Sequence, residues 1–105
     1  MNRGELFEAH KAACQKMHDI LRAKSMDYAQ GDDPFSNFTL VEKLGIASTE
    51  QSFLTRMMDK FSRLISFVRK GTLKVKDESV EDTLLDLANY CILLALYIRQ
   101  KRKLQ

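Results

Sequence analysis

Apolar positions recur along most of this chain with the period of an α-helix. In the stretch 4 to 28, Leu6, His10, Ala13, Met17, Ile20, Leu21, Lys24 and Tyr28 follow one another at spacings of three and four, and Phe7 and Cys14 widen the stripe. Gly31 and Pro34 end that pattern inside a turn-forming segment, Ala29 to Phe38, whose Phe35 and Phe38 predict that the loop is anchored on something apolar. A short helix over roughly Thr39 to Lys43 is expected next, stopped by Gly45. Ser48-Thr-Glu-Gln51 has capping-box spacing and opens a helix to about Lys70, with Gly71 placed to end it. Its apolar face is read as Leu54, Met57, Met58, Phe61, Leu64, Ile65 and Val68. After a short connection, Thr72 to Lys76, a last helix starts at an N-cap of Asp77 or Ser79 and runs to about Arg102. From Tyr90 to Ile98 this helix is apolar on nearly every side, as expected of one buried among others. No strand-like alternation and no repeat appears. The expectation is an all-α fold over residues 1–105: one compact antiparallel bundle of three long helices and one short one.

The polar positions of the last helix carry the first chemical signal. At about 100° per residue, Glu78, Asp82, Asp86 and Asn89 fall within an arc of about 80°. Three carboxylates on one stripe repel one another unless a Lys, an Arg or a divalent cation covers them. Acids in a first helical turn suit the helix dipole, and Ser79-x-x-Asp82 resembles a capping box, so Glu78, Glu81 and Asp82 have a local explanation. Asp86 and Asn89 lie too far into the helix for that account. Acids one turn apart supply the oxygen set that Mg²⁺ takes while keeping room for water and phosphate. The second long helix offers Arg56, Asp59, Lys60 and Arg63 on its polar face. Facing the acids, these are structural ion pairs; with a nucleotide between, Lys60 and Arg63 are phosphate donors and Asp59 a further metal ligand. Spacing leaves both open.

Composition bounds the remainder. With 105 residues, 45% hydrophobic and 30% charged, the chain has enough apolar matter for one core. The net charge of +3 is concentrated in Arg99, Lys101, Arg102 and Lys103, which suit a helix C-terminus and leave no aromatic-laced basic face for nucleic acid. Cys14 and Cys91 are isolated on apolar stripes and read as reduced core residues; Met17, Met57 and Met58 read as core filling. His10 and His18 lack a partner at metal-ligand spacing. No signal-peptide pattern and no apolar run of membrane-spanning length is present, so a cytoplasmic protein without membrane contact is expected.

Four pieces of the sequence stand in an order that is familiar: Lys24-Ser-Met-Asp27-Tyr28, Ser36-Asn37-Phe38, Arg56-Met-Met-Asp59-Lys60-Phe-Ser-Arg63-Leu64, and Glu78-Ser-Val-Glu-Asp82-Thr-Leu-Leu-Asp86-Leu-Ala-Asn89-Tyr90. In these the chain resembles the type-1 nucleotide modification associated domains, small helical proteins common in bacteriophages and bacteria. That family is in turn similar to the all-α, MazG-like nucleoside triphosphate pyrophosphatases. The resemblance implies a Mg²⁺-dependent hydrolase acting on an NTP or dNTP, working as a homodimer or homotetramer in the cytoplasm. It assigns metal binding to Glu78, Asp82, Asp86 and Asp59, with Asp82 and Asp86 at the catalytic centre. Lys60 and Arg63 would hold phosphate, while Lys24, Asp27, Tyr28, Asn37 and Asn89 would contact the rest of the nucleotide, with Tyr28 or Phe38 stacking on the base. The Glu-Glu-x-x-Glu motif of those pyrophosphatases is absent from the second long helix. The other reading of the same residues is a non-catalytic accessory module whose polar files are ion pairs.

Overall fold

The computed structural model describes residues 1–28, 31, 33–71, 74, 75 and 78–104, without the side chains of 26–28, 74, 75, 78 and 79. The architecture is all-α: α1 (Arg3–Tyr28), α2 (Ser36–Lys43), α3 (Thr49–Lys70) and α4 (Val80–Lys103), with two-residue strands β1 (Lys74–Val75) and β2 (Glu78–Ser79) before α4. The chain groups into two compact units, Met1–Pro34 and Phe35–Gln105. The first consists of α1, a single long helix as the sequence period predicts. No helix among the described residues is long and apolar enough to cross a membrane.

In the second unit, local sequence chemistry sets the helix ends. Ser48 Oγ accepts from the Gln51 amide at 3.1 Å while Gln51 Oε1 accepts from the Ser48 amide at 2.8 Å, completing the expected capping box. Gly71 closes α3 at φ 66°, a left-handed conformation that a Cβ would disfavour. α2 starts three residues earlier than the turn-forming Ser36 and Asn37 suggest. The Phe35 carbonyl accepts from the amides of Phe38 and Thr39, and the i, i+3 pair Phe35 and Phe38 is drawn onto one buried side.

These two rings meet Phe53 of α3 and Tyr97 of α4 in an aromatic core, flanked by Tyr90, Leu93 and Leu94. Phe38 lies flat on Phe53, centroids 3.9 Å apart and planes 7° from parallel, and presents its ring to Tyr90 edge-on at 6.0 Å. Phe35 meets Tyr97 edge-on at 5.5 Å. The edge-on pairs add about 0.5–1.5 kcal/mol each beyond the area they bury.

α3 and α4 run antiparallel: Lys60 meets Asp86, and ten residues earlier on α3 Glu50 meets Lys101, further along α4. Three expectations about burial change here. Of the apolar face assigned to α3, Leu54, Met58, Phe61, Ile65 and Val68 are exposed; Phe53 and Phe67 are the buried residues that hold the helix down. The segment Tyr90 to Ile98 is buried on one side only, with Cys91, Ile92, Ala95 and Leu96 exposed. Cys14 and Cys91 are free thiols as expected, but exposed and not core. The apolar arc of each helix is wider than the partner helices that cover it.

Candidate functional site

The acidic file of α4 is shorter than the spacing predicts. Glu78 lies in β2, paired antiparallel with Val75, so its backbone is committed to the strand ladder and the helix begins only at Val80. Asp82, Asp86 and Asn89 remain on α4, each half-buried, and Thr83 between them is fully buried. The side chains of Glu78, Asp27 and Tyr28 lie outside the described residues. Lys24 is an exposed residue of α1.

The seam between α3 and α4 carries the main polar contact. Lys60 Nζ donates to Asp86 Oδ2 at 3.0 Å, and the two side chains are only 14% and 16% exposed. An ion pair this enclosed is a different object from a surface pair. Desolvation makes each partner depend on the other, and a bound anion or cation has to compete with a preformed contact. Around the rim the charges are open to water: Arg63 Nη2 meets Asp59 Oδ2 at 3.3 Å, one turn apart on α3.

Helix geometry shows how these residues share a side. On α3 the packing line runs through Phe53, Lys60 and Phe67, within about 40° of one another, and Arg63 and Asp59 lie about 60–100° to one side of it. On α4 the line runs through Thr83, Tyr90 and Tyr97, with Asp86, Asp82 and Asn89 displaced in the same rotational sense. Because the helices are antiparallel, equal rotations from the two packing lines lead to the same side of the pair. Asp59, Arg63, Asp82 and Asn89 therefore share one face of the α3–α4 layer, with Lys60 and Asp86 at its seam.

At one end of this face stands α2, fixed by a residue for which sequence reasoning found no such role. Arg56, one helical turn before Lys60, donates from Nη2 to the Asn37 carbonyl at 2.9 Å and sets its guanidinium 4.5 Å from the centre of the Phe38 ring. Phe38 is thus sandwiched between Arg56 and Phe53, with both ring faces occupied. This overturns the idea that Phe38 stacks on a base; it is a core residue. Asn37 itself is exposed at the start of α2. Only the one-turn spacing of Arg56 and Lys60 was visible in the sequence as a signal for Arg56.

A metal set is not gathered by the described residues: no three His, Cys, Asp or Glu side chains among them are placed to hold an ion. Asp59 pairs along its own helix with Arg63, and Asp86 faces an ammonium group. A second polar tie lies at the far end of the layer, where Lys101 Nζ meets Glu50 Oε2 at 2.8 Å. This bond to Lys101 lowers the Glu50 carboxyl below the usual carboxylate range, and the same bond raises Lys101 above its ordinary value. Glu42 Oε1 accepts from the Thr49 amide at 3.2 Å, tying α2 to the start of α3.

The chain matches no curated protein and no solved structure. A family model does match, over residues 46–98, which takes in all of α3 and most of α4 and so contains the Lys60–Asp86 seam, Asp59, Arg63, Asp82 and Asn89, while Lys24, Asp27, Tyr28 and Asn37 fall before it. On that match, which spans half of its length, the chain belongs to the family of nucleotide modification associated domain 1.

Proposed function

We propose that the polar face of the α3–α4 layer binds a nucleotide, NTP or dNTP, through its phosphates. One observation supports this most: the enclosed Lys60–Asp86 pair, lying within the segment that defines the family. A phosphate oxygen arriving at this face takes over donors from Lys60 and is met by the Arg63 guanidinium at the rim, whose planar fork suits phosphate. In this reading Asp82 and Asn89 would accept hydroxyl or amide donors of the same ligand. In this unit Asn37, exposed at the start of α2, is the candidate for sugar or base contact, while Lys24, Asp27 and Tyr28 belong to the other unit.

The finer reading is pyrophosphohydrolysis with Mg²⁺ on Asp82 and Asp86, helped by Glu78 and Asp59. It asks for several oxygens around one ion, a set that the described carboxylates do not supply. The accessory-module reading draws on the same ion pairs, since Lys60–Asp86 and Asp59–Arg63 each satisfy their own charge.

Titration calorimetry with a panel of NTPs and dNTPs, with and without Mg²⁺, followed by an assay for pyrophosphate release, separates the three. Nucleotide binding that is lost in Lys60→Met and weakened in Arg63→Gln supports the proposal. Binding that appears only with Mg²⁺, together with pyrophosphate release abolished by Asp82→Asn, extends it to hydrolysis. No heat with any nucleotide from a well-folded parent sinks it in favour of the accessory module.

A further inference from the structure

Arg56 makes two unlike contacts with one planar group. Its Nη2 donates to the Asn37 carbonyl at 2.9 Å, and the guanidinium carbon lies over the Phe38 ring, 4.5 Å from its centre. An N–H edge meets the carbonyl while the face covers the ring, a combination that the compact ammonium of a lysine cannot reproduce. Both contacts fall on consecutive residues of the first turn of α2, and Arg56 itself is half-buried. Phe38 has no room to give way, since it stacks on Phe53 at 3.9 Å between centroids and meets Tyr90 edge-on. The backbone of Asn37 is thus held from α3 directly and again through its neighbour, while the residue stays exposed. Arg56 precedes Lys60 by one turn, about 6 Å along α3, and lies on the same side of the packing line as Arg63.

Resting on the nucleotide binding proposed above, we infer that Arg56 sets which nucleotide this face accepts. It is a positioning residue that holds Asn37 in fixed register with Lys60 and Arg63, so that sugar or base is read at Asn37 while the phosphates are held further along α3. Two simpler roles fit the geometry less well. As a third phosphate donor, Arg56 would leave a carbonyl and an aromatic face together, whereas the Arg63–Asp59 contact lies open to water. As a brace for α2 alone it would be redundant. Phe35 and Phe38 already anchor that helix in the aromatic core, and Glu42 ties its other end to the Thr49 amide.

Titration calorimetry of the full chain separates these roles, using the panel of NTPs and dNTPs beside inorganic tripolyphosphate, which has neither sugar nor base. Selectivity is read as the ratio of Kd between the weakest and the tightest nucleotide. Arg56→Lys keeps the charge but not the edge-and-face geometry. It is expected to bind tripolyphosphate within about twofold of the parent and to lose about fivefold in selectivity, the worth of one neutral hydrogen bond from Asn37. Asn37→Ala is expected to lose as much, and adding Arg56→Lys to it to lose nothing more, because Arg56 acts through Asn37. Weakened tripolyphosphate binding in Arg56→Lys would make Arg56 a phosphate ligand and overturn the inference. A lowered thermal midpoint with selectivity intact, as a brace alone would give, overturns it too, as do losses that add in the double variant. Should Arg56→Lys fail to fold, Asn37→Ala decides: lost selectivity supports the inference, and parental selectivity overturns it by leaving Arg56 nothing to position. A parent that binds tripolyphosphate and every nucleotide equally overturns the inference and keeps the phosphate reading; a parent that binds none of them sinks both.

Discussion

Removing one partner of the Lys60–Asp86 pair is expected to cost far more than removing both. At 3.0 Å, with an effective dielectric of about 20, the attraction between the two charges is about 5–6 kcal/mol. Withdrawing them from water costs several kcal/mol per ion, so the pair as a whole is close to break-even against an apolar one. Lys60→Met keeps the length of the side chain but leaves the Asp86 carboxylate half-enclosed without its cation. Full burial would make that loss about 3–5 kcal/mol, and the remaining 14–16% exposure lets water recover part of it, leaving about 2–3 kcal/mol. For a domain of this size that is a fall in Tm of roughly 10–20 °C. The double variant Lys60→Met/Asp86→Leu is expected within about 1 kcal/mol of the parent, giving a coupling energy near 2 kcal/mol or more in the four-variant cycle. Urea and thermal unfolding followed at the helix band supply all four stabilities. Single variants that each cost under about 0.5 kcal/mol, or a double variant as unstable as the two singles combined, would refute the reasoning and return the pair to the class of solvated surface bridges.

Two further outcomes follow from features at the ends of the helices. Glu50→Gln should lower stability at neutral pH by a small, salt-sensitive amount. The lowered Glu50 pKa contributes above the ordinary carboxylate range and is lost as acid carries the pH through it; the raised Lys101 pKa contributes below the ordinary lysine range and is lost as alkali carries the pH through that. The difference between parent and variant, measured by urea midpoints across pH, should therefore be greatest between those limits, and a difference that persists undiminished in strong acid contradicts it. Gly71→Ala should cost about 1 kcal/mol through backbone conformation alone, since φ is 66° and no heavy atom lies within 4 Å of the added Cβ. Gly71→Asn should lose less, and an alanine variant with an unshifted midpoint would show that the left-handed cap is not held in solution.

What the sequence made legible was mostly local. The capping box at Ser48 and Gln51 and the stop at Gly71 are written within a few residues of where they act, and both helix ends stand where the pattern puts them. Periodicity also identified the apolar side of α3 but not which part of it is covered, because Phe53, a residue outside the assigned stripe, is the one that α2 and α4 close upon. Glu78 was misplaced for a related reason: the ladder with Val75 competes with helix initiation, and residues 74 and 75 gave no alternating pattern long enough to announce a strand. In the candidate site, Asp86 and Asn89 stood out because no helix-start chemistry accounts for them, and Asp86 does sit against Lys60 across the seam. The work of Arg56 was hidden, since its partners lie 18 and 19 residues away and depend on how α2 folds back.

The aromatic core has an optical consequence. The chain has no Trp and three Tyr, and two of these, Tyr90 and Tyr97, are packed against the Phe rings that α2 and its N-cap bring in. Tyrosine near-ultraviolet dichroism is therefore a built-in reporter of whether α2 is seated: Tyr90 senses Phe38 and Tyr97 senses Phe35, one ring on each side of the first turn. A ligand that draws Arg56 or Asn37 out of its present contacts would change those bands while the far-ultraviolet helical signal stayed constant, so closure of this corner can be followed without a label.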